Sequence, residues 1–190
     1  MHGGLMVGTG DLSELALVFT TYGGDHLSMY CVNGGLYKSA IRLILRQTAA
    51  DSKDPLLKDA LARVLDTPIS PELLPGQAGE IAQKTEDIVG PYELNDFYLH
   101  HFLADRRDPE VLFSLARRAF GDKYSPAELL MRMKSLFSRF FAAQFKRSCL
   151  SDGPQILDVS ISPRGGLELP SDASCALWMD ETERLIIEHK

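Results

Sequence analysis

The chain has 190 residues, of which 45% are hydrophobic and 24% are charged. This composition is ordinary for a folded domain and excludes a disordered, collagen-like or low-complexity chain. No apolar run reaches the roughly 18 residues of a membrane helix, and the N-terminus lacks the basic and apolar regions of a signal peptide. The three cysteines are far apart and form no CxxC pair, which argues against a zinc site or a disulfide framework and favours a reducing cytoplasm.

The net charge of −6 argues against general nucleic-acid binding, but the charge is unevenly distributed. Between residues 117 and 147, eight basic residues accompany two acidic ones, which gives this segment a local charge of +6. Two interpretations are open. Charge alone favours a solvated or subunit-facing helix surface, and the alternative is a site for a phosphate-bearing ligand.

The first predicted elements are a strand, a tight turn and a helix. Residues 3–8 are a short apolar run bounded by glycine, which is typical of a buried strand. Asp11 is a natural N-cap, and Glu14 completes a capping-box pattern for a helix that carries the apolar residues Leu12, Leu15, Ala16 and Phe19. In an open α/β sheet such a turn lies at the carboxyl end of the strand, where ligands bind.

The middle of the chain is predicted to alternate between helices and loops. Residues 20–35 are glycine-rich and polar, which predicts a loop. Helices are predicted over residues 37–47 and 55–65. Prolines at 68, 71 and 75 then break regular structure, and residues 76–90 are expected to form an exposed loop.

The second half is predicted to be strongly helical. Residues 91–104 place aromatic and aliphatic side chains at helical spacing, and the Asp-Pro-Glu sequence at 108–110 starts the next helix. The Ser-Pro-Ala-Glu capping box at 125–128 opens the clearest helix, and a short helix is expected over residues 173–183. The predicted apolar face of the clearest helix consists of Leu129, Leu130, Met133, Leu136, Phe137, Phe140, Phe141 and Phe145.

Common catalytic signatures are missing from the sequence. It contains no GxxxxGK[ST] or GxGxxG phosphate loop, no GxSxG elbow and no HExxH pair. The adjacent His100 and His101 are expected to point to different faces of one helix, which would make them poor joint metal ligands. Asp25 and His26, beside Gly-Gly in the polar loop, suit the close approach of a ligand.

Five segments together resemble the synthetase domain of glutamine-dependent NAD+ synthetases. They are GTGDLSELAL, TYGGDHLSMYCVN, QKTEDIVGPYELNDF, FFAAQFKRSCLSDGP and SPRGGLELPSDASCALW, in order from residue 8 to residue 178. The resemblance implies an α/β fold: a partial, Rossmann-like parallel sheet of the adenine-nucleotide α-hydrolase kind, followed by a mostly helical C-terminal region. It also implies that residues 1–190 are the C-terminal portion of the synthetase domain, because the family's SGGxDS pyrophosphate loop and its glutaminase domain have no counterpart here.

The implied activity is the ATP-dependent amidation of deamido-NAD to NAD+, with Mg2+. The nicotinate carboxylate of deamido-NAD attacks the α-phosphorus of ATP and releases pyrophosphate. Ammonia derived from glutamine then attacks the adenylate, which gives NAD+ and AMP. The family also implies a cytoplasmic homo-oligomer without nucleic-acid or membrane partners, and an isolated chain that is inactive without the missing segments.

The resemblance assigns binding roles to particular residues, although it assigns no catalytic residue. Thr9 and Lys38 match residues that bind ATP. Glu14 matches a glutamate that contacts deamido-NAD, or that holds Mg2+ in ammonia-dependent relatives, and this role competes with helix capping. Lys146 matches a lysine near the substrate carboxylate or phosphate, although a lysine near a helix end also complements the helix dipole. The remaining residues matched to the deamido-NAD site are Phe19, Thr20, Thr21 and Tyr22.

The sequence also departs from the family pattern. The family usually has Gly-Trp where this chain has Val18-Phe19, and Asn where it has Cys31. An Arg-Gly-Asp-Trp sequence is replaced by residues 164–167, Arg-Gly-Gly-Leu. These changes put the substrate affinity or pose in question more than the reaction class.

Two alternatives to an active synthetase follow. The first is a non-catalytic remnant that binds nucleotide or mediates assembly. The second is a different ATP-pyrophosphatase amidotransferase, against which QKTEDIVGPYELNDF argues.

Overall fold

The computed structural model describes residues 3–17, 22–24, 27–67, 86 and 89–189. Within these ranges the chain is mostly helical, with one small sheet. In chain order the elements are β1 (Val7–Gly8), α1 (Leu12–Leu17), β2 (Tyr30–Cys31), α2 (Lys38–Asp51), α3 (Pro55–Asp66), α4 (Tyr92–Leu103), α5 (Pro109–Phe120), α6 (Pro126–Ala142), α7 (Gln144–Arg147) and α8 (Ala176–Glu188).

The sheet consists of two short parallel strands. Val7 lies opposite Tyr30, and Gly8 lies opposite Cys31. β1 falls within the strand predicted over residues 3–8 but covers only two residues, and β2 lies in a segment predicted to be a loop. The expected burial of the first strand was wrong, because this sheet has only two strands in the described ranges and leaves Leu5, Met6 and Val7 exposed. The sequence does not reveal β2, because two residues among glycines and polar residues offer no alternating apolar pattern. The parallel pairing and the helical C-terminal region agree with the expected fold class.

The helix starts follow the capping residues. The Asp108 side chain accepts a hydrogen bond from the Val111 backbone N–H at the start of α5. At the start of α6, Ser125 accepts from the Glu128 N–H, while the Glu128 carboxylate accepts from the Ser125 N–H at 2.8 Å. These bonds satisfy N–H groups that the first turn of a helix leaves without partners, and they confirm both predicted starts.

The core is built around α6, which packs against α1, α4, α5 and α8. Phe102 of α4 meets the rings of Phe137 and Phe140 edge to face, with centroids 5.3 and 5.5 Å apart. The predicted apolar face is buried with one exception. Phe145 is 47% exposed, because α6 ends at Ala142 and Phe145 falls in the separate helix α7. The buried residues of the face are Leu129, Leu130, Met133, Leu136, Phe137, Phe140 and Phe141.

The remaining helices differ from the predictions mainly at their ends. α2 and α3 pack on each other but bury no residue, and α2 extends four residues beyond its predicted end. α8 begins three residues later and ends five residues later than predicted. Most of the loop expected over residues 76–90, and Asp25 and His26, lie outside the described residues. In the ranges that the structure describes, no helix has both the length and the apolar character to cross a bilayer.

Candidate functional site

The turn between β1 and α1 carries the capping box predicted from the sequence. The Glu14 backbone N–H donates to Oδ1 of Asp11 at 3.0 Å, and the Asp11 N–H donates to Oε2 of Glu14 at 3.2 Å. Asp11 is buried, with 2% of its side chain exposed, whereas Glu14 keeps 24% exposed. Each carboxylate therefore has one oxygen that does not take part in the capping box.

Lys38, the first residue of α2, occupies both of those oxygens. Its Nζ lies 2.6 Å from Oδ2 of Asp11 and 2.6 Å from Oε1 of Glu14. The ammonium also lies 5.5 Å from the centroid of the Tyr92 ring, within the range of a cation–π interaction. The structure thus brings together Glu14 and Lys38, two residues that were assigned to different substrates, around a third residue considered only as a helix cap.

This cluster has perturbed proton affinities. Burial, together with the neighbouring charge of Glu14, raises the pKa of Asp11 from 3.8 to about 6. Burial opposes the charge on Lys38, but the two carboxylates outweigh it and raise the pKa of the lysine. A buried cluster of two carboxylates and one ammonium has a net negative charge, which can be balanced by a further cation.

A third carboxylate, Asp96 of α4, fixes the position of Lys38. Oδ1 of Asp96 accepts the Ser13 hydroxyl at 2.5 Å, and Oδ2 accepts the Ser39 backbone N–H at 2.9 Å. The Ser13 oxygen in turn accepts the Lys38 backbone N–H at 2.9 Å. Burial raises the pKa of Asp96 in spite of these hydrogen bonds. Asp96 therefore joins α1, the start of α2 and α4.

Sequence reasoning missed this role of Asp96 and Ser13. The sequence contained one signal: Asp96 is acidic, whereas the nearby helix residues Leu94, Tyr98 and Leu99 are apolar or aromatic. The structure buries all three of these neighbours. A carboxylate is rarely buried without hydrogen-bonding partners.

Thr9 follows β1 directly, as predicted for the carboxyl end of a strand. Its side chain is exposed, and its backbone carbonyl accepts a hydrogen bond from Nδ2 of Asn33 at 3.4 Å. Nearby, the thiol of the buried Cys31 donates to the carbonyl of Gly10 at 3.1 Å. Burial raises the pKa of this thiol. Cys31 thus ties β2 to the turn that carries the Lys38 cluster.

The residues matched to the deamido-NAD site are only partly within the described ranges. Val18, Phe19, Thr20 and Thr21 lie outside them. Tyr22 is exposed, and its ring lies 5.7 Å from that of Phe145. Lys146 is half-buried in α7, next to Phe145 in the chain. The structure therefore places Tyr22 beside the helix that carries Lys146.

Arg147 is a buried cation that the sequence did not single out. Its guanidinium donates to the Ala16 carbonyl at 2.8 Å, to Oε1 of Gln144 at 2.7 and 3.1 Å and to the Phe140 carbonyl. It also lies 4.1 Å from the centroid of the Phe140 ring. Burial lowers the pKa of Arg147 to about 10. These contacts hold α7 against α1 and α6, so the role of Arg147 is structural.

Other basic residues of the 117–147 segment each contact a different part of the structure. Lys123 pairs with Glu93, Lys134 pairs with Glu183 at 2.7 Å, and Arg117 lies over the ring of Phe113. These contacts agree with the interpretation of the segment as helix surface.

His100 and His101 do not lie as the sequence analysis expected. Their rings are 5.3 Å apart, and ligand atoms of both histidines and of Asp105 lie within 4.8 Å of one another. Nδ1 of His101 is 2.6 Å from a carboxylate oxygen of Asp105. The expectation that the two side chains point to different faces was wrong, because neighbouring helical residues are only about 100° apart and long side chains can converge. That they are poor joint metal ligands stays a prediction.

Comparison with known proteins gives a consistent result. No family model matches the chain. It is 38% identical over 207 residues to a protein from Mycobacterium leprae, and 38% identical over 203 residues to one from Mycobacterium tuberculosis, both named glutamine-dependent NAD(+) synthetase. These matches cover 98% and 96% of the chain, but the chain spans only 30% of the length of each relative.

A solved structure agrees with these relatives. The crystal structure of a glutamine-dependent NAD(+) synthetase from Cytophaga hutchinsonii is similar to this chain with a TM-score of 0.68 at 19% identity. The match covers 96% of this chain and 26% of that one, and at this identity it shows the fold. The resemblance found in the sequence is thereby confirmed: over nearly its whole length, the chain is related to a segment of the glutamine-dependent NAD(+) synthetase family.

Proposed function

We propose that this chain supplies the ATP- and deamido-NAD-binding portion of an NAD+ synthetase, a ligase that forms AMP and uses ammonia from glutamine. The observation that carries the proposal is the Lys38 cluster at the carboxyl end of β1. It places an ammonium and two carboxylates where an open α/β sheet binds its ligands. The relationship to the mycobacterial synthetases supports the same assignment.

In the proposed reaction, the nicotinate carboxylate of deamido-NAD attacks the α-phosphorus of ATP. The bond to the pyrophosphate oxygen breaks, and pyrophosphate leaves. Ammonia then attacks the carbonyl of the adenylate, AMP leaves, and the amide of NAD+ is formed. Both steps depend mainly on positioning and on neutralising phosphate charge.

Within this scheme Lys38 neutralises the ATP phosphates. Its side chain is held by Asp11 and Glu14, and its backbone by Ser13, so the ammonium is positioned before the substrate arrives. Thr9, exposed at the same turn, would contact the adenosine. This division of roles follows the family assignment of both residues to ATP.

The deamido-NAD site would lie around Tyr22 and Lys146. Lys146 would offset the anionic part of deamido-NAD, and the Tyr22 ring provides a planar surface. Phe19, Thr20 and Thr21 belong to the same proposed site.

The residues present fit Mg2+. Asp11 and Glu14 provide carboxylate oxygens, the donors that this ion prefers, and together they exceed the charge of Lys38. Glu14, the more exposed of the two, would hold the ion. When bound, Mg2+ neutralises phosphate charge and helps pyrophosphate to leave.

The rest of the proposed enzyme lies in the remainder of the synthetase and in a glutaminase domain. The chain covers 30% of the mycobacterial relatives, and the proposed fold is the C-terminal portion of a Rossmann-like synthetase domain. A cytoplasmic homo-oligomer is part of the same proposal, and three unpaired cysteines suit that compartment.

A chimera tests the proposal. This chain replaces the matching 30% of the Mycobacterium tuberculosis relative, and NAD+ formation is measured from deamido-NAD, ATP and ammonia. We expect turnover, and we expect Lys38→Met to reduce it by at least 100-fold. Lys134→Met is the matched control, because it also breaks a lysine–glutamate pair, at 2.7 Å, but on the surface. It should leave the rate within about twofold.

The outcome separates the proposal from its alternative. A chimera that is folded, as judged by near-UV circular dichroism, and that binds ATP without forming NAD+ would favour the non-catalytic remnant. Equal rates for Lys38→Met and Lys134→Met would remove the Lys38 cluster from the site.

A further inference from the structure

A cleft of about 610 Å³ lies at the opposite end of α4 from the Lys38 cluster. We call it the Trp178 cleft, and its principal lining residues are Phe102, Arg106, Arg107, Asp158, Gly165 and Trp178. Its volume is within the range of small-molecule sites. The twelve residues of α4 span about 18 Å, so the cleft is distinct from the proposed ATP site.

One part of the cleft lining is aromatic. The indole of Trp178 lies 4.9 Å from the Phe141 ring at an angle of 37°, and 6.1 Å from the Phe102 ring, edge to face. These contacts hold a large ring at the cleft while leaving part of it accessible, since Trp178 is only partly buried. A planar ligand can stack against such a surface.

Another part of the lining is cationic. Arg106 and Arg107 are both exposed, and neither forms an ion pair with another residue in the described ranges. Arg106 is held in the left-handed region, with φ of 53°, and the Arg107 N–H donates to the His101 carbonyl at 3.0 Å. The backbone therefore fixes the points from which two adjacent arginine side chains extend at the cleft.

Asp108 and Asp158 also line the cleft, and among the described residues no ion pair joins either of them to the two arginines. Asp108 accepts the Val111 N–H at 2.8 Å, so its carboxylate is engaged in capping α5. Asp158 also lines the cleft and offers an acceptor for hydroxyl groups. Two adjacent guanidiniums match a dianion such as a phosphate monoester, with which arginine forms bidentate hydrogen bonds.

We propose that the Trp178 cleft binds a small aromatic phosphate of the nucleoside monophosphate class. The ring stacks against Trp178, the phosphate is held by Arg106 and Arg107, and Asp158 accepts the sugar hydroxyls. The cleft shares no residue with the Lys38 cluster and includes neither Tyr22 nor Lys146, so it is a different site from the two that the proposed function uses.

Trp178 is the single tryptophan of the chain, so its fluorescence reports on this cleft. The purified chain is titrated with AMP at pH 6, and binding is measured in parallel by equilibrium dialysis. We expect a saturable fluorescence change with AMP. Adenosine, which lacks the phosphate, and inorganic phosphate, which lacks the ring, should each bind at least 10-fold more weakly.

Three variants locate the binding. The double variant Arg106→Gln with Arg107→Gln should weaken AMP binding by about 10-fold or more, because two charge-assisted contacts are lost. Arg46→Gln, on the exposed face of α2, is the matched control and should not change it. Lys38→Met should also leave it unchanged, which separates this site from the proposed ATP site.

Four results would overturn the proposal: no binding by either method, equal binding of AMP and adenosine, unchanged affinity in the double arginine variant, or loss of binding in Lys38→Met. Each of them leaves the chimera experiment unaffected, so this inference and the proposed function fail separately.

Discussion

Replacing Lys38 by methionine removes the single ammonium between Asp11 and Glu14. Methionine keeps much of the alkyl packing of lysine, so the change isolates the charge. The Asp11 carboxylate then lies almost fully buried beside a second carboxylate, with no cation at 2.6 Å. Leaving one member of a buried ion pair without its partner costs about 3–5 kcal/mol of the free energy of unfolding.

The size of this loss depends on pH, through Asp11. Its pKa is about 6 in the folded protein, above the ordinary 3.8, so the folded state binds the proton more tightly than the unfolded state does. The free energy of unfolding of the unmodified protein therefore falls as the pH rises from about 4 to about 6. Lys38 is one of the groups that lower this pKa, so in Lys38→Met the pKa rises further. The variant then continues to lose stability above pH 6, by about 1.4 kcal/mol per pH unit.

Urea denaturation at pH 5 and at pH 8 measures the pH-independent and the pH-dependent contributions to the stability loss in Lys38→Met. At pH 5 Asp11 is protonated in both proteins, and we expect a difference of about 1 kcal/mol from the half-buried pair with Glu14. At pH 8 the difference should reach about 3–4 kcal/mol, because two further pH units of proton linkage are added.

A double variant tests the explanation. Lys38→Met with Asp11→Asn keeps a good N-cap residue but removes the buried charge, so its loss at pH 8 should be no larger than its loss at pH 5. A difference for Lys38→Met that is the same at both pH values would refute the reasoning. So would a double variant as unstable at pH 8 as the single one.

Three further changes test the surroundings of the cluster. Asp96→Asn leaves one carbonyl oxygen for the donors of Ser13 and Ser39, so we expect a loss of about 1–3 kcal/mol in thermal denaturation. Asp59→Asn, the same change in an exposed pair with Arg63, is the control and should cost less than about 1 kcal/mol. Glu14→Gln can still accept the Asp11 N–H, so it should change the free energy of unfolding by less than about 1 kcal/mol while reducing chimera turnover by at least 100-fold; retained turnover would return Glu14 to capping alone. Arg147→Lys loses the planar guanidinium and its several donors, and should cost about 2–4 kcal/mol in urea denaturation, whereas a loss below about 0.5 kcal/mol would contradict the structural role.

The features that the sequence predicted well depend on short-range contacts. Asp108, Ser125 and the pair of Asp11 and Glu14 each satisfy N–H groups three residues away, so the residue type and spacing are sufficient to identify them. The apolar face of α6 is equally local, because it follows the helical period. The predicted face was wrong at Phe145, because α6 ends at Ala142 and its helical period does not continue to Phe145.

The features that the sequence did not reveal depend on contacts between distant segments. Ser13 and Asp96 are 83 residues apart, and Arg147 and Ala16 are 131 residues apart. No spacing rule connects such pairs, and an aspartate or an arginine in a helix is ordinarily assigned to the solvent. β2 is similar, because its two residues are a strand only through their pairing with β1.

Glu14 combines helix capping with an ion pair to Lys38, because the two contacts use different oxygens of its carboxylate. Oε2 accepts the Asp11 N–H and completes the capping box, while Oε1 faces Lys38. Capping fixes the carboxylate relative to the backbone of the turn, and the second oxygen remains directed at the ammonium. A helix cap and a charged site can therefore share one side chain when the cap uses a single oxygen. The same division applies to Asp11, whose Oδ1 caps α1 and whose Oδ2 holds Lys38. The cap thus supplies the rigidity that a positioned ammonium requires.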